Sequence, residues 1–160
     1  MRRRLALSGS VVVLAALVGL LVQPTASAEV AVHKAVLTGE NEVNSAGDPN
    51  QGDLDGLGKA KIRVNVAKDL VCFKLRWEGI TSPDRAHIHD GPAGVNGPIV
   101  VTLFEGLVPS TINKVRGCTE LADTPENEAL LRDIKENPGE YYVNLHNADF
   151  PGGALRGQLS

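Results

Sequence analysis

The sequence is poor in the residues on which much of protein chemistry depends. Its 160 residues include two cysteines, one tryptophan and four histidines, and aromatic residues make up only 4%. So few aromatic side chains do not provide a stacking platform for sugars or nucleic-acid bases. Cys72 and Cys118 are also too far apart for the short C-x-x-C spacing of a thiolate metal site or a redox pair.

Nucleophile and phosphate-binding motifs are missing as well. Ser82 and Ser110 lie beside prolines, without the strand-turn-helix context of a nucleophile elbow. The sequence has no glycine-rich phosphate loop before a helix, and no pair of carboxylates has a spacing that singles it out. These absences favour a protein that is not an enzyme.

The first 28 residues have the pattern of a secretory signal peptide. Arginines at positions 2–4 precede an apolar run at 11–22, and Ala26-Ser27-Ala28 is a cleavage signal. The apolar run is short for a membrane anchor. We therefore expect a secreted, extracellular protein with no membrane span after cleavage, and the sequence leaves Sec or twin-arginine export open.

Residues 29–160 have the length of one domain. The 16 basic residues of the chain, less the three arginines at 2–4, leave 13 against 19 acidic residues, a net charge of −6. This balance predicts no nucleic-acid partner and no polybasic membrane patch. In an exported chain, the pair Cys72 and Cys118 predicts a disulfide.

The hydrophobic pattern after residue 29 is that of short β-strands separated by turns. In residues 59–66, Ala60, Ile62 and Val64 alternate with Lys61 and Arg63, so that one face is apolar. Further strands are predicted at 30–38, 69–78, 86–90, 99–104, 114–120, 141–146 and 154–159. The pattern predicts an all-β fold, an antiparallel Greek-key-like sandwich or barrel of about seven to nine strands.

One segment has the signals of a helix. Asp123 is a candidate N-cap, Pro125 suits the first turn, and Glu126 completes a capping box. A Pro-Gly pair at 138–139 ends the segment. We expect one short α-helix near 124–137.

The histidines carry the clearest chemistry. His87 and His89 are two residues apart in a predicted strand, so both side chains point to one face. His146 ends another predicted strand, and adjacent strands would bring the three imidazoles together. Imidazole is the commonest metal ligand, and a histidine-only set favours Cu or Zn. Asp90 and Asp149 are candidates to orient these ligands or to supply a fourth ligand.

A structural explanation of the same polar residues stays open. The histidines can hydrogen-bond to glycine-rich loops, and Asn144 and Asn147 are further candidate partners. Arg156 alternates with leucines in the last strand, and a contact with Asp90 or Glu78 would make it a structural bridge.

A second candidate metal site is a polar loop before the second strand. Its oxygen-bearing residues are Asp48, Asn50, Asp53 and Asp55, a composition that can bind calcium. The loop lacks the EF-hand spacing and its closing glutamate, and a solvated turn explains it as well.

Four motifs resemble one family when taken in order. They are Leu37-Thr38-Gly39-Glu40-Asn41-Glu42-Val43, Gly56-Leu57-Gly58-Lys59-Ala60, Ala86-His87-Ile88-His89-Asp90-Gly91 with Gly97-Pro98-Ile99-Val100-Val101, and Tyr142-Val143-Asn144-Leu145-His146-Asn147 with Gly153-Ala154-Leu155-Arg156-Gly157-Gln158-Leu159. This order resembles the CHRD domain family, which occurs in chordin and as standalone secreted bacterial proteins. The resemblance implies one extracellular all-β domain over about 32–159 and no catalytic residues.

Three functions remain open at this point. The first is a secreted, non-enzymatic binding or structural domain with a Cu or Zn site at His87, His89 and His146. The second is a copper-dependent redox protein, because the His87-x-His89 pair is similar to a ligand pair of Cu/Zn superoxide dismutase. The third is a cell-surface module that binds an envelope or extracellular protein partner.

Overall fold

The computed structural model describes residues 30–160, which form eight β-strands and one α-helix. The predicted signal peptide at 1–28 lies outside these residues. Within residues 30–160, no helix has the length and apolar character needed to cross a membrane. The elements are β1 (Val30–Thr38), β2 (Leu57–Asn65), β3 (Leu70–Glu78), β4 (Arg85–Asp90), β5 (Ile99–Glu105), β6 (Lys114–Glu120), α1 (Pro125–Glu136), β7 (Tyr141–His146) and β8 (Leu155–Gln158).

All eight strands form one antiparallel sheet in the order β5-β4-β7-β8-β1-β2-β3-β6. The two edge strands face each other, since the Thr119 hydroxyl on β6 donates to the Thr102 carbonyl on β5 at 2.8 Å. The sheet is therefore a nearly closed barrel. Around it β3, β6, β5 and β4 are neighbours, which is the Greek-key arrangement of a three-strand meander beside a fourth strand. The predicted fold class is confirmed.

Strand alternation places the core inside the barrel. On β2, Ala60, Ile62 and Val64 are buried, whereas Lys61 and Arg63 are exposed, as the alternation predicts. Each fully buried aliphatic side chain of this kind stabilises the fold by about 1.5–3 kcal/mol. Other fully buried core residues are Leu37, Leu75, Ile88, Leu131, Ile134, Val143, Leu145 and Leu155.

β7 differs from the other strands because all six of its residues are buried. Its inner residues Tyr141, Val143 and Leu145 belong to the core. Its outer residues Tyr142, Asn144 and His146 are covered by loops at 39–56, 91–98 and 147–154, as their contacts below show. The outer side of this part of the barrel is therefore a buried polar layer.

The short helix lies close to its predicted position, but its cap differs. Thr124 is the N-cap, and its hydroxyl accepts a hydrogen bond from the Asn127 backbone amide at 3.3 Å. The prediction of Asp123 as the cap is wrong, because Pro125 occupies the first helical position and the cap precedes it directly. The Tyr141 hydroxyl joins the helix to β7 by donating to Asp133 at 2.5 Å.

The predicted disulfide is present between β3 and β6. Cys72 and Cys118 are directly opposite each other in the ladder, with their Cα atoms 3.9 Å apart. β6 has a strand ladder only with β3, so the disulfide anchors an edge strand of the sheet.

Replacing both cysteines by serine should destabilise the domain. The bridge closes a segment with a sequence separation of 46 residues. The chain-entropy model gives such a closure about 4 kcal/mol. Urea unfolding of the Cys72→Ser/Cys118→Ser protein, beside the wild type with and without reductant, measures this loss. The prediction would be contradicted if the serine variant and the reduced wild type both unfolded at the same urea midpoint as the oxidised wild type.

Tyr141→Phe should lower stability by about 1 kcal/mol at pH 7, because it removes a hydrogen bond to a charged carboxylate. The hydrogen bonds from Tyr141 and then Asn137 lower the pKa of Asp133. A lowered folded-state pKa gives stability above the unfolded aspartate pKa, and this stability is lost as pH falls through the folded value. Urea unfolding of both proteins from pH 7 into the acid range should show the difference closing. A difference independent of pH would refute the link, and Asp133→Asn is the control that removes the titration.

Candidate metal centre

Pairing of β4 with β7 brings the three predicted histidines to one face. His87 lies opposite Asn144, and His89 lies opposite Tyr142. His146 is two residues beyond Asn144 on β7, so it projects from the same face as its neighbours. All three histidines are buried.

The imidazoles are close enough to share one ion. One ring nitrogen from each of His87, His89 and His146 can be chosen so that all lie within 4.8 Å of one another. Nδ1 of His87 and Nε2 of His146 are 3.2 Å apart. Two nitrogens bound to one tetrahedral zinc at about 2.0–2.1 Å would be separated by about 3.3 Å. This pair therefore needs little movement to accept a metal.

Backbone carbonyls orient two of the rings. Nδ1 of His89 is 3.0 Å from the Gly97 carbonyl, and Nδ1 of His146 is 3.2 Å from the Pro151 carbonyl. A carbonyl only accepts, so each Nδ1 carries the proton and each Nε2 keeps its lone pair. Metal-binding histidines are commonly oriented in this way. Nε2 of His89 is buried and has no hydrogen-bond partner.

The surroundings keep these histidines neutral. Burial lowers the pKa of His87 and of His89 below the usual imidazole value. Burial, then the neighbouring His87 and the Arg85 guanidinium, lowers the pKa of His146 to about 4. The neutral imidazole is the form that binds metals, so the cluster is in a ligating state at neutral pH.

Arg156 holds the loop that covers this face. Its side chain is 2% exposed, and its guanidinium lies 3.4 Å from the centre of the Tyr142 ring. It donates to the carbonyl oxygens of Pro92 and Val95 at 3.1 and 2.6 Å, and to the side-chain oxygen of Asn96 at 3.1 Å. The structure therefore gives Arg156 neutral oxygen partners in place of the predicted carboxylate.

A stack of three side chains joins Arg156 to the histidines. The ring of Tyr142 lies parallel to that of His89, with a centroid distance of 4.7 Å and an interplanar angle of 9°. Since β7 lies between β4 and β8, His89 and Arg156 flank Tyr142 from opposite sides. The cation–π contact on one side and the ring stacking on the other fix the position of Tyr142.

Sequence reasoning missed Glu42, which the loop at 39–56 brings into the polar layer. Glu42 is 3% exposed, and its Oε2 accepts from the Asn144 amide at 3.4 Å. Burial raises its pKa to about 7, against the opposing effects of Arg156 and Asn144. Gly153, at φ 150°, packs on it so closely that a Cβ would lie 2.5 Å from Oε1. Glu42 lies in an irregular segment without periodicity, and only the family motif at 37–43 includes it.

The predicted orienting carboxylates lie elsewhere. Asp90 is exposed at the end of β4, and Asp149 accepts a hydrogen bond from the Thr81 hydroxyl at 2.9 Å. Among residues 30–160, the ring contacts of His89 and His146 to oxygen go to backbone carbonyls.

The candidate calcium loop does not gather its oxygens into one site. Asp48 accepts from the Asn44 amide at 2.9 Å, and Asp53 accepts from the Asp55 backbone amide at 3.3 Å. Asn50 adopts a left-handed conformation with φ 64°. In the described part of the chain, the one group of three or more histidine, cysteine or acidic residues placed to share a metal is the histidine cluster. The four residues of the candidate calcium loop form local turns.

Fold and site together define a small antiparallel β-barrel domain with a buried histidine cluster beneath its loops. The sequence profile of the CHRD domain matches residues 33–159, and the chain belongs to the CHRD domain family. CHRD domains are extracellular in general, and the disulfide is consistent with that location. No curated protein and no solved structure matches the chain.

Arg156→Met should lower stability by about 3 kcal/mol, because it keeps the stem but removes hydrogen bonds of a buried charged group. The amides of residues 91–98 should then exchange with deuterium faster than those of the core strands. Arg63→Met is the matched control, since Arg63 is exposed and should change stability by no more than about 0.5 kcal/mol. Equal effects of the two substitutions would show that Arg156 does not hold the loop.

Proposed function

We propose that this CHRD domain is a secreted, non-enzymatic protein that binds one Cu(II) or Zn(II) ion through His87, His89 and His146. The observation that carries the proposal is the approach of three ring nitrogens to within 4.8 Å of one another. Three histidines with an open position form the ligand set of many protein metal sites. A set of imidazoles without thiolates favours copper or zinc among the common metals.

The hydrogen bonds around the cluster support binding at defined atoms. His89 and His146 offer Nε2, because their Nδ1 atoms face carbonyl oxygens. His87 and His146 share one hydrogen bond, in which Nδ1 of His87 donates to Nε2 of His146. For both atoms to ligate, the His87 proton would have to move to Nε2 of the same ring, which would leave a lone pair on Nδ1. The ligands are already on neighbouring strands, so ordering them costs little conformational entropy.

The unpartnered nitrogen of His89 supports metal binding because it lies within the cluster, whereas the equally unpartnered Nε2 of His33 lies outside it. A buried polar atom is nearly always hydrogen-bonded, because leaving it unpaired costs about 1–3 kcal/mol. Nε2 of His89 is buried without a partner, although the other nitrogen of the same ring has one. A metal ion would satisfy this lone pair.

The histidine count favours binding over dismutase-like redox chemistry. The fourth histidine, His33, is buried on β1 at a position that alternates with core residues Ala35 and Leu37. It does not belong to the cluster. A copper–zinc dismutase site needs more histidines than these three.

Isothermal titration with Cu(II) and with Zn(II) tests the proposal on the exported protein. We expect one ion per chain and, for copper, nitrogen hyperfine structure in the electron paramagnetic resonance spectrum. Saturation at 100 times the Kd should raise the free energy of unfolding by about 2.7 kcal/mol. His89→Gln/His146→Gln should weaken binding by at least about a hundredfold, because loss of a ligand exceeds the effect of losing an orienting partner.

His33→Gln is the matched control, since it removes a buried histidine outside the cluster. It should leave the stoichiometry and affinity unchanged, and circular dichroism should confirm that each variant is folded. Absence of stoichiometric metal in the wild type would refute the proposal. Equal losses in the His33 and cluster variants would refute it as well.

A further inference from the structure

The outer side of four strands carries most of the positive charge of the domain. Thirteen lysines and arginines lie in residues 30–160, the 16 of the chain less the three at 2–4. Eight of these project outward from β1, β2, β3 and β6. We call this surface the basic face, and it consists of Lys34, Lys59, Lys61, Arg63, Lys74, Arg76, Lys114 and Arg116.

Strand register arranges the cations in rows. Lys34 pairs with Lys61, Lys61 with Lys74, and Lys74 with Arg116, so four cations cross four strands in one line. Neighbouring strands are about 4.8 Å apart, which spaces the charges closely.

The next row on the same face repeats the pattern. Lys59 pairs with Arg76, and Arg76 pairs with Lys114, while Val36 occupies the β1 position. Together the two rows form a grid of seven cations.

These cations are not neutralised within the domain. Among residues 30–160, no ion pair and no side-chain hydrogen bond engages any of the eight. The two acidic residues of these strands, Glu78 and Glu120, lie at strand ends. Like charges placed directly opposite on neighbouring strands are destabilising. The domain thus keeps an unfavourable arrangement that a bound anion would relieve.

Shallow depressions connect along the basic face. One of about 390 Å³ lies between Lys34 and Lys61, and it shares Val36 and Lys59 with a second of about 340 Å³. The second shares Arg76 and Asn113 with a third of about 580 Å³. Together they cross from β1 to β6, which suits a chain better than a compact ion.

We propose that the basic face binds a linear chain of linked phosphate groups, of the inorganic polyphosphate type. Closely spaced cations match a polymer with a charge on every unit, and lysine is a frequent phosphate ligand. The aromatic residues of these strands, Phe73 and Trp77, are buried in the core, so the face has no platform for nucleic-acid bases. The histidine cluster is on β4 and β7, so the two sites use different strands.

Fluorescence anisotropy with labelled inorganic polyphosphate, at several salt concentrations, tests the proposal on the metal-free protein. The protein should bind at low salt, and the logarithm of the binding constant should fall linearly with the logarithm of the salt concentration. The slope should be about −0.7 per neutralised phosphate. Lys61→Glu/Arg76→Glu places one carboxylate between two cations in each row. It should weaken binding by at least about tenfold at low salt. The melting temperature should stay equal or rise, because two repulsive rows are relieved.

Lys68→Glu/Lys135→Glu makes the same charge change outside the basic face and should weaken binding several-fold less than Lys61→Glu/Arg76→Glu, most clearly near 0.1 M salt, where the Debye length is about 10 Å. The cluster variant His89→Gln/His146→Gln should bind polyphosphate like the wild type, which separates this proposal from the metal site. The proposal is overturned if polyphosphate does not bind, or if both charge variants weaken binding equally. Binding to anionic phospholipid vesicles, single-stranded DNA or heparin in preference to polyphosphate would overturn it too.

Discussion

The covered side of the barrel depends on the insertion of Arg156 between a tyrosine ring and a loop. A guanidinium removed from water needs replacement partners, and Tyr142 and the 92–96 segment supply them. The same loop carries the Gly97 carbonyl that orients His89. The Gly97 amide donates to the Tyr142 hydroxyl at 3.3 Å, so Arg156 supports this carbonyl both through the Tyr142 ring and through residues 92–96. Arg156 therefore contributes to the orientation of His89 without touching the candidate ligand.

Burial acts on the polar layer in two directions. It lowers the pKa of the three histidines and raises that of Glu42, so it favours the neutral form of each. For the imidazoles, the neutral form is the one with a free lone pair. A solvent-exposed imidazole, with a pKa of about 6.5, would begin to hold protons in competition with a metal at a higher pH than these buried rings do. The loops that hide the layer from water thus also prepare it for binding.

Much of the fold follows from alternation and turn chemistry. The bounds of β1, β6 and β7 and the common face of His87 and His89 were predictable, because period-two patterns need only local sequence. From the sequence, the pairing of β4 with β7 could be stated only as a condition for the three imidazoles to meet, since strand order depends on long-range contacts. The partners of Arg156 were not predictable, because backbone carbonyls have no residue signature. The burial of Glu42 was not predictable for a related reason, because it depends on how an irregular segment folds over β7.

The net negative charge gives no indication of the basic face. The disulfide shows how the fold tolerates repulsion among the cations of that face. The alternation of β2 and β3 reveals outward cations, but only the register shows that Lys74 and Arg116 stand opposite each other. β6 has a ladder with β3 alone, so repulsion between these two residues acts directly to separate an edge strand. Cys72 and Cys118 form the adjacent pair on the same outer face of the same two strands. The bridge therefore does more than lower the entropy of the unfolded chain. It holds β6, the last strand of the charged grid, in register with β3.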